Sequence, residues 1–108
     1  MKVHRIYADG VAINDTTGAM TGNVYLDAVL VHIDTAPTTS EYLAITLDSV
    51  AETQHDVVIY KIDLSAASTT DIVITQSDLN LPLLTGDALR TTYANTDKRR
   101  IGVTYLLR

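Results

Sequence analysis

His4, His32 and His55 are the three histidines of the chain, and imidazoles are where metal or acid–base chemistry would begin. They fall on three different strand segments, and none has a second ligand two residues away within its own segment. The pattern therefore predicts three unrelated surface or half-buried rings. Carboxylates are scattered at Asp27, Asp34, Asp48, Asp56, Asp63, Asp71, Asp78, Asp87, Asp97, Glu41 and Glu52. Many stand where strands end, and Asp stabilises turns by bonding nearby backbone. A calcium loop needs oxygen ligands in a run such as D-x-D-x-D-G, which the sequence lacks. The nearest approaches, Asn14-Asp15 and Asn95 with Asp97, read as turns. A paired-carboxylate hydrolase site stays open in principle, but so short a chain leaves little structure to shape a cleft around one. The absence of cysteine excludes disulfides, thiolate catalysis and cysteine-bound zinc. No serine sits in a G-x-S-x-G elbow. Gly10, Gly18, Gly22, Gly86 and Gly102 are dispersed and form no phosphate loop. The expectation is a protein without catalytic residues, metal or cofactor, and not an enzyme.

The cations are less evenly spread. Lys98, Arg99 and Arg100 cluster in one turn, and Arg108 lies at the far end of the strand that follows. They read either as a solvated hairpin tip or as a contact with an acidic partner surface, and these four are the candidate partner-contact residues. A net charge of −5 opposes attraction to a phosphate backbone, so no nucleic-acid partner is expected. Tyr60, Tyr93 and Tyr105 read as core and rim residues with bonded hydroxyls.

These groups need a scaffold, and the composition says which kind. The chain is 46% hydrophobic yet has no Phe, Trp or Cys. Val, Ile, Leu and Tyr must fill the core, and with Thr they favour pleated strands. Lys2 to Tyr7 predicts an opening strand with Val3, Arg5 and Tyr7 on one face. Asp9-Gly10 predicts a turn, residues 11–13 a short extended piece, and residues 14–18 a polar loop. Gly22 to Ile33 is the longest strand, with Val24, Leu26, Ala28 and Leu30 on one face and Tyr25, Val29, Val31 and Ile33 on the other. A strand apolar on both sides is central or meets a partner. Glu41 to Val50 alternates, with Leu43, Ile45 and Leu47 inward. Residues 51–54 read as a turn, with a short helix over 49–55 as the alternative. His55 to Leu64 is the next strand, with Val58, Tyr60, Ile62 and Leu64 on one face, and residues 65–70 form a loop. Asp71 to Thr75 follows, and Pro82 makes residues 76–84 an edge or a connection. Two strands joined by a polar turn, Gly86 to Ala94 and Arg100 to Leu107, close the chain, so its length is spent on a sheet scaffold. Gly102 predicts a bulge or a close neighbouring backbone. About eight strands at this spacing predict an all-β, two-layer antiparallel β-sandwich, jelly-roll-like, as a single domain over residues 1–108, with a partly open barrel as the alternative. The longest apolar stretch, Tyr25 to Ile33, is broken by Asp27 and His32 and falls short of the ~20 residues of a membrane helix. No membrane partner and no signal peptide are expected, and the glycosylation acceptor Asn14-Asp15-Thr16 is discounted accordingly.

Residues 81–95 (Leu-Pro-Leu-Leu-Thr-Gly-Asp-Ala-Leu-Arg-Thr-Thr-Tyr-Ala-Asn), followed by Ile101-Gly102-Val103, resemble small proteins encoded among the head genes of tailed bacteriophages. So do Leu43 to Ser49 and Asp56 to Tyr60. The resemblance implies a virion structural protein, a capsid decoration or cement protein. It would be made in the host cytoplasm and bind the major capsid protein on the capsid exterior as a homo-oligomer, a trimer in particular. The alternative is a carbohydrate- or receptor-binding sandwich module of a tail, neck or fibre, in which Tyr25, Tyr42 or Tyr60 presents a ring to a sugar.

Overall fold

A computed structural model describes residues 2–49, 56–66, 70–75 and 81–108. Its elements are β1 (Lys2–Asp9), β2 (Ile13–Thr16), β3 (Val24–Ile33), β4 (Tyr42–Asp48), β5 (Val57–Asp63), β6 (Asp71–Ile74), β7 (Leu81–Leu83), β8 (Ala88–Tyr93) and β9 (Arg100–Leu107). No helix occurs among the described residues. One sheet runs β1-β9-β3-β6, with β7 also paired to β3; the other runs β2-β8-β4-β5.

This order is that of a jelly roll. The chain behaves as one long antiparallel ribbon with β4 and β5 at its tip. Its further rungs are β3 with β6 and β7, β2 with β8, and β1 with β9. Wrapping that ribbon brings β9 against β3 and β8 against β4, which closes the two sheets. The side chains between the sheets form the core: Leu26, Val29, Val31, Ile33, Val103 and Tyr105 from the first, and Leu43, Ile45 and Leu89 from the second. Burying each such aliphatic side chain stabilises the fold by roughly 1.5–3 kcal/mol. Nothing in the composition offers a larger aromatic, and Tyr105 is the largest fully buried side chain among the described residues. Its hydroxyl, carried from β9, meets the Thr91 hydroxyl of β8 inside the core.

Several local expectations change. Asn14 to Thr16 is strand, not loop, because β8 supplies a ladder from Arg90 to Tyr93. β3 is central, but its faces exchange part-way. Asp27 is an extra residue against β9, since Leu26 pairs with Leu107 and Ala28 with Leu106. Such a bulge shifts the alternation by one. Leu26 therefore shares the core with Val29, Val31 and Ile33, and Leu30 faces outward. A second register shift makes Ile59 the extra residue of β5, and Val58 is exposed while Tyr60 and Ile62 are partly covered. Pro82 lies in β7, which pairs only with β3 among the described residues, in keeping with an edge. The largest change is at the end of the chain. β8 and β9 are not a hairpin; they belong to different sheets, and residues 94–99 cross between them. Asn95 and Lys98 take positive φ there, at 54° and 55°. Asn95 side-chain atoms hold the crossing by bonding Val11 O, Arg99 O and Arg99 N. The turn over residues 51–54, most of the alternative helix over 49–55, and parts of the loop over 65–70 and of the segment 76–84 lie outside the described residues.

Candidate functional site

The outer face of the β1-β9-β3-β6 sheet carries a shallow hollow of about 500 Å³. Register explains it. One cross-strand row runs Tyr7, Gly102, His32, Asp71, and the next row toward the crossing pairs Asp9 with Arg100. On the other side lie Thr104, Leu30 and Val73. Strand neighbours on one face stand close enough for their side chains to fill the space between them. Gly102 fills none, so the row has a gap. No bulge occurs at Gly102. What approaches it is not a backbone but the Tyr7 ring, whose nearest carbon is 3.7 Å from where a Cβ would stand. Tyr7 is 77% exposed and forms one wall of the hollow.

The polar rim is built from pairs. His32 Nδ1 lies 2.5 Å from Asp71 Oδ1, across β3 and β6. A carboxylate accepts only, so Nδ1 carries the proton of that bond. Arg100 Nε donates to Asp9 Oδ1 at 2.9 Å. Asp34 accepts from the backbone N–H groups of Arg100 and Thr35. Each pair is exposed, so each contributes at most about 1 kcal/mol to stability. Their value lies in presenting donors and acceptors at fixed places.

The four candidate cations are not brought together. Lys98 is exposed on the crossing. Arg99 turns inward, its guanidinium donating to Ala36 O, with Nε buried and without a partner among the described residues. Arg100 stands on the rim of the hollow. Arg108 lies at the opposite end of β9, where Nε donates to Asp27 at 2.7 Å and the guanidinium covers the Tyr25 ring at 4.6 Å.

His4 lies at the open edge between the sheets, 2.7 Å from Asp15 Oδ2 of β2 and stacked on Tyr105 at 6.1 Å. His32 lies on the outer face and His55 outside the described residues. No cluster of three metal-binding side chains occurs among the described residues. The tyrosines sort differently from expectation. Tyr105 is bonded through Thr91, but the buried Tyr93 hydroxyl has no partner among the described residues. Desolvation, and then the negative charge of Glu41, push Tyr93 upward. Tyr42 is exposed but lies under Lys61, whose Nζ is 4.3 Å from the ring centre. Tyr60 is partly covered. Sequence reasoning passed over Tyr7. Its signal was present in the pairing of an outward tyrosine with a glycine in another strand, which needs the register to be read.

No protein-family model matches this sequence, and no curated protein matches it. The likeness to phage head proteins rests on the motifs quoted above.

Proposed function

We propose that this protein is a non-catalytic structural component of a tailed-phage virion, a decoration or cement protein. In this reading it sits on the capsid exterior and bridges copies of the major capsid protein by lateral contacts, as a homo-oligomer and in particular a trimer. The observation that carries the reading is the edge of the second sheet. β5 is the last strand of that sheet, pairs only with β4 among the described residues, and exposes the consecutive Val57 and Val58, one on each face. An apolar edge strand is a template for pairing with another chain, which soluble proteins normally blunt. Cyclic association would cover such edges in equal copies. Repeated on a symmetric shell, weak contacts of this kind add to a large combined effect. The jelly-roll order supports the reading, since that architecture is common in viral shells. Lys98 and Arg108, at opposite ends of the crossing and β9, would meet acidic groups of the shell or a neighbour.

The test is native mass measurement of the purified chain, followed by cryo-electron microscopy of phage heads assembled with and without it. Oligomers in solution and ordered density on the outer shell are expected, both weakened by Val58→Lys. A strict monomer that leaves no density on heads overturns the proposal.

A further inference from the structure

We propose that the hollow over Gly102 is a binding site for a neutral saccharide, with Tyr7 as its platform. This stands apart from the edge contacts of β5, which belong to the other sheet.

Three features of the hollow select that chemistry. The first is the ring. Tyr7 rests on the side-chain gap at Gly102 and leaves most of its surface to solvent. A flat, exposed aromatic face suits the aliphatic C–H face of a pyranose, and its anchored position means little freedom is lost on binding. The other exposed tyrosines differ, since Tyr25 lies under Arg108 and Tyr42 under Lys61.

The second is the polar rim. Arg100 meets Asp9 through Nε, and its terminal amino groups have no partner among the described residues. His32 meets Asp71 through Nδ1, and its Nε2 likewise has no partner among the described residues. The rim thus offers both donors and acceptors beside an apolar floor that includes Leu30 and Val73. A polyol hydroxyl both donates and accepts, and it fits such a rim without the desolvation of a charge.

The third is charge. Asp9, Asp34 and Asp71 outnumber Arg100 and His32 around the hollow. An anionic sugar or a phosphate would be repelled. A free cation would have to displace Arg100 from Asp9 or His32 from Asp71, and Asp34, already accepting two backbone N–H bonds, offers it one lone carboxylate. A neutral ligand needs neither.

The experiment is titration of the intact protein by calorimetry and by tyrosine-ring NMR. The probes are neutral oligosaccharides (α- and β-linked hexaoses of glucose, mannose, galactose and N-acetylglucosamine), with a heparin hexasaccharide as the anionic comparison. At least one neutral hexaose is expected to bind at millimolar or lower concentration and to shift the Tyr7 ring resonances. Tyr7→Ala should weaken that binding at least tenfold, and so should Gly102→Leu, which occupies the gap. Tyr42→Ala should leave it unchanged, and heparin should not bind. Failure of every neutral hexaose, binding of heparin alone, or equal loss in Tyr7→Ala and Tyr42→Ala would overturn the site. Unchanged far-ultraviolet circular dichroism of each variant separates lost binding from lost fold.

Discussion

Tyr7 and Tyr42 stand on outer faces of opposite sheets, both on strands and both exposed, yet they present different surfaces. Tyr42 is paired with Asp63, and Lys61 of the same strand reaches over its ring. Tyr7 is paired with Gly102, and beyond it lies a hollow. The residue type is identical; the partner in register decides whether the ring is a lid for a neighbouring side chain or a free platform. Around Tyr42 the second sheet shows Lys61, Thr92 and Arg90, a surface suited to water. Around Tyr7 the first sheet shows Leu30 and Val73 ringed by charged pairs. The difference was made by two small events in β3 and β9, an inserted Asp27 that turned Leu30 outward and a missing side chain at Gly102.

Tyr105 joins the two sheets through Thr91, and it is where their cooperation is best broken. Tyr105→Phe strands the buried Thr91 hydroxyl and is expected to cost about 1–3 kcal/mol, read from the denaturant midpoint. Adding Thr91→Val should recover much of the loss. Burial pushes the Tyr105 hydroxyl up to about 12, helped by the negative charge of Asp15 and opposed by the Thr91 bond. The unfolded chain therefore releases this proton first. The contribution is whole below the ordinary tyrosine value near 10 and fades as pH rises through about 12. Tyr105→Phe should remove that part of the alkaline decline. Two separate transitions in the variant, one for each sheet, would show that the faces are not coupled through the core.

The crossing between the sheets gives a smaller, opposite dependence. Bonds from the Thr39 hydroxyl and from the Thr39 and Thr38 N–H groups hold the Asp97 carboxyl down at about 2. Its contribution is present above the ordinary carboxylate value and is lost as pH falls through about 2. Asp97→Asn should flatten the acid limb of the stability curve over that window. An unchanged limb would mean that the bonds to residues 38 and 39 do not steady the crossing.

Lys61→Ala is the mildest change and bears most directly on the two rings. Losing an exposed cation over an aromatic face costs about 0.5–1 kcal/mol, measured by thermal denaturation. The variant bares Tyr42 but creates no hollow beside it. It should gain no saccharide binding, and a gain would show that an exposed ring suffices.

Alternation alone made much of the scaffold legible. Leu43, Ile45 and Leu47 were assigned to the inner face correctly because β4 contains no extra residue of its own. Asn95 was legible as a left-handed turn residue because few side chains tolerate that backbone. Val58 and Leu30 were misplaced for one shared reason. A bulge reverses the inward phase, and it leaves no mark in composition when the extra residue, such as Ile59, looks like strand. β8 and β9 looked like a hairpin because a short polar segment serves equally to turn within a sheet or to pass between two. The hollow was hidden for the same physical cause: it depends on which residues of distant strands stand side by side, a non-local property.

The pairing of Lys2 with Leu107 through to Asp9 with Arg100 makes β1 wait for β9, far along the sequence. Closing so long a loop carries a large entropic penalty before any contact rewards it, and topologies rich in such pairings fold in about milliseconds to seconds. During synthesis, β1 must therefore remain unpaired until β9 has left the ribosome.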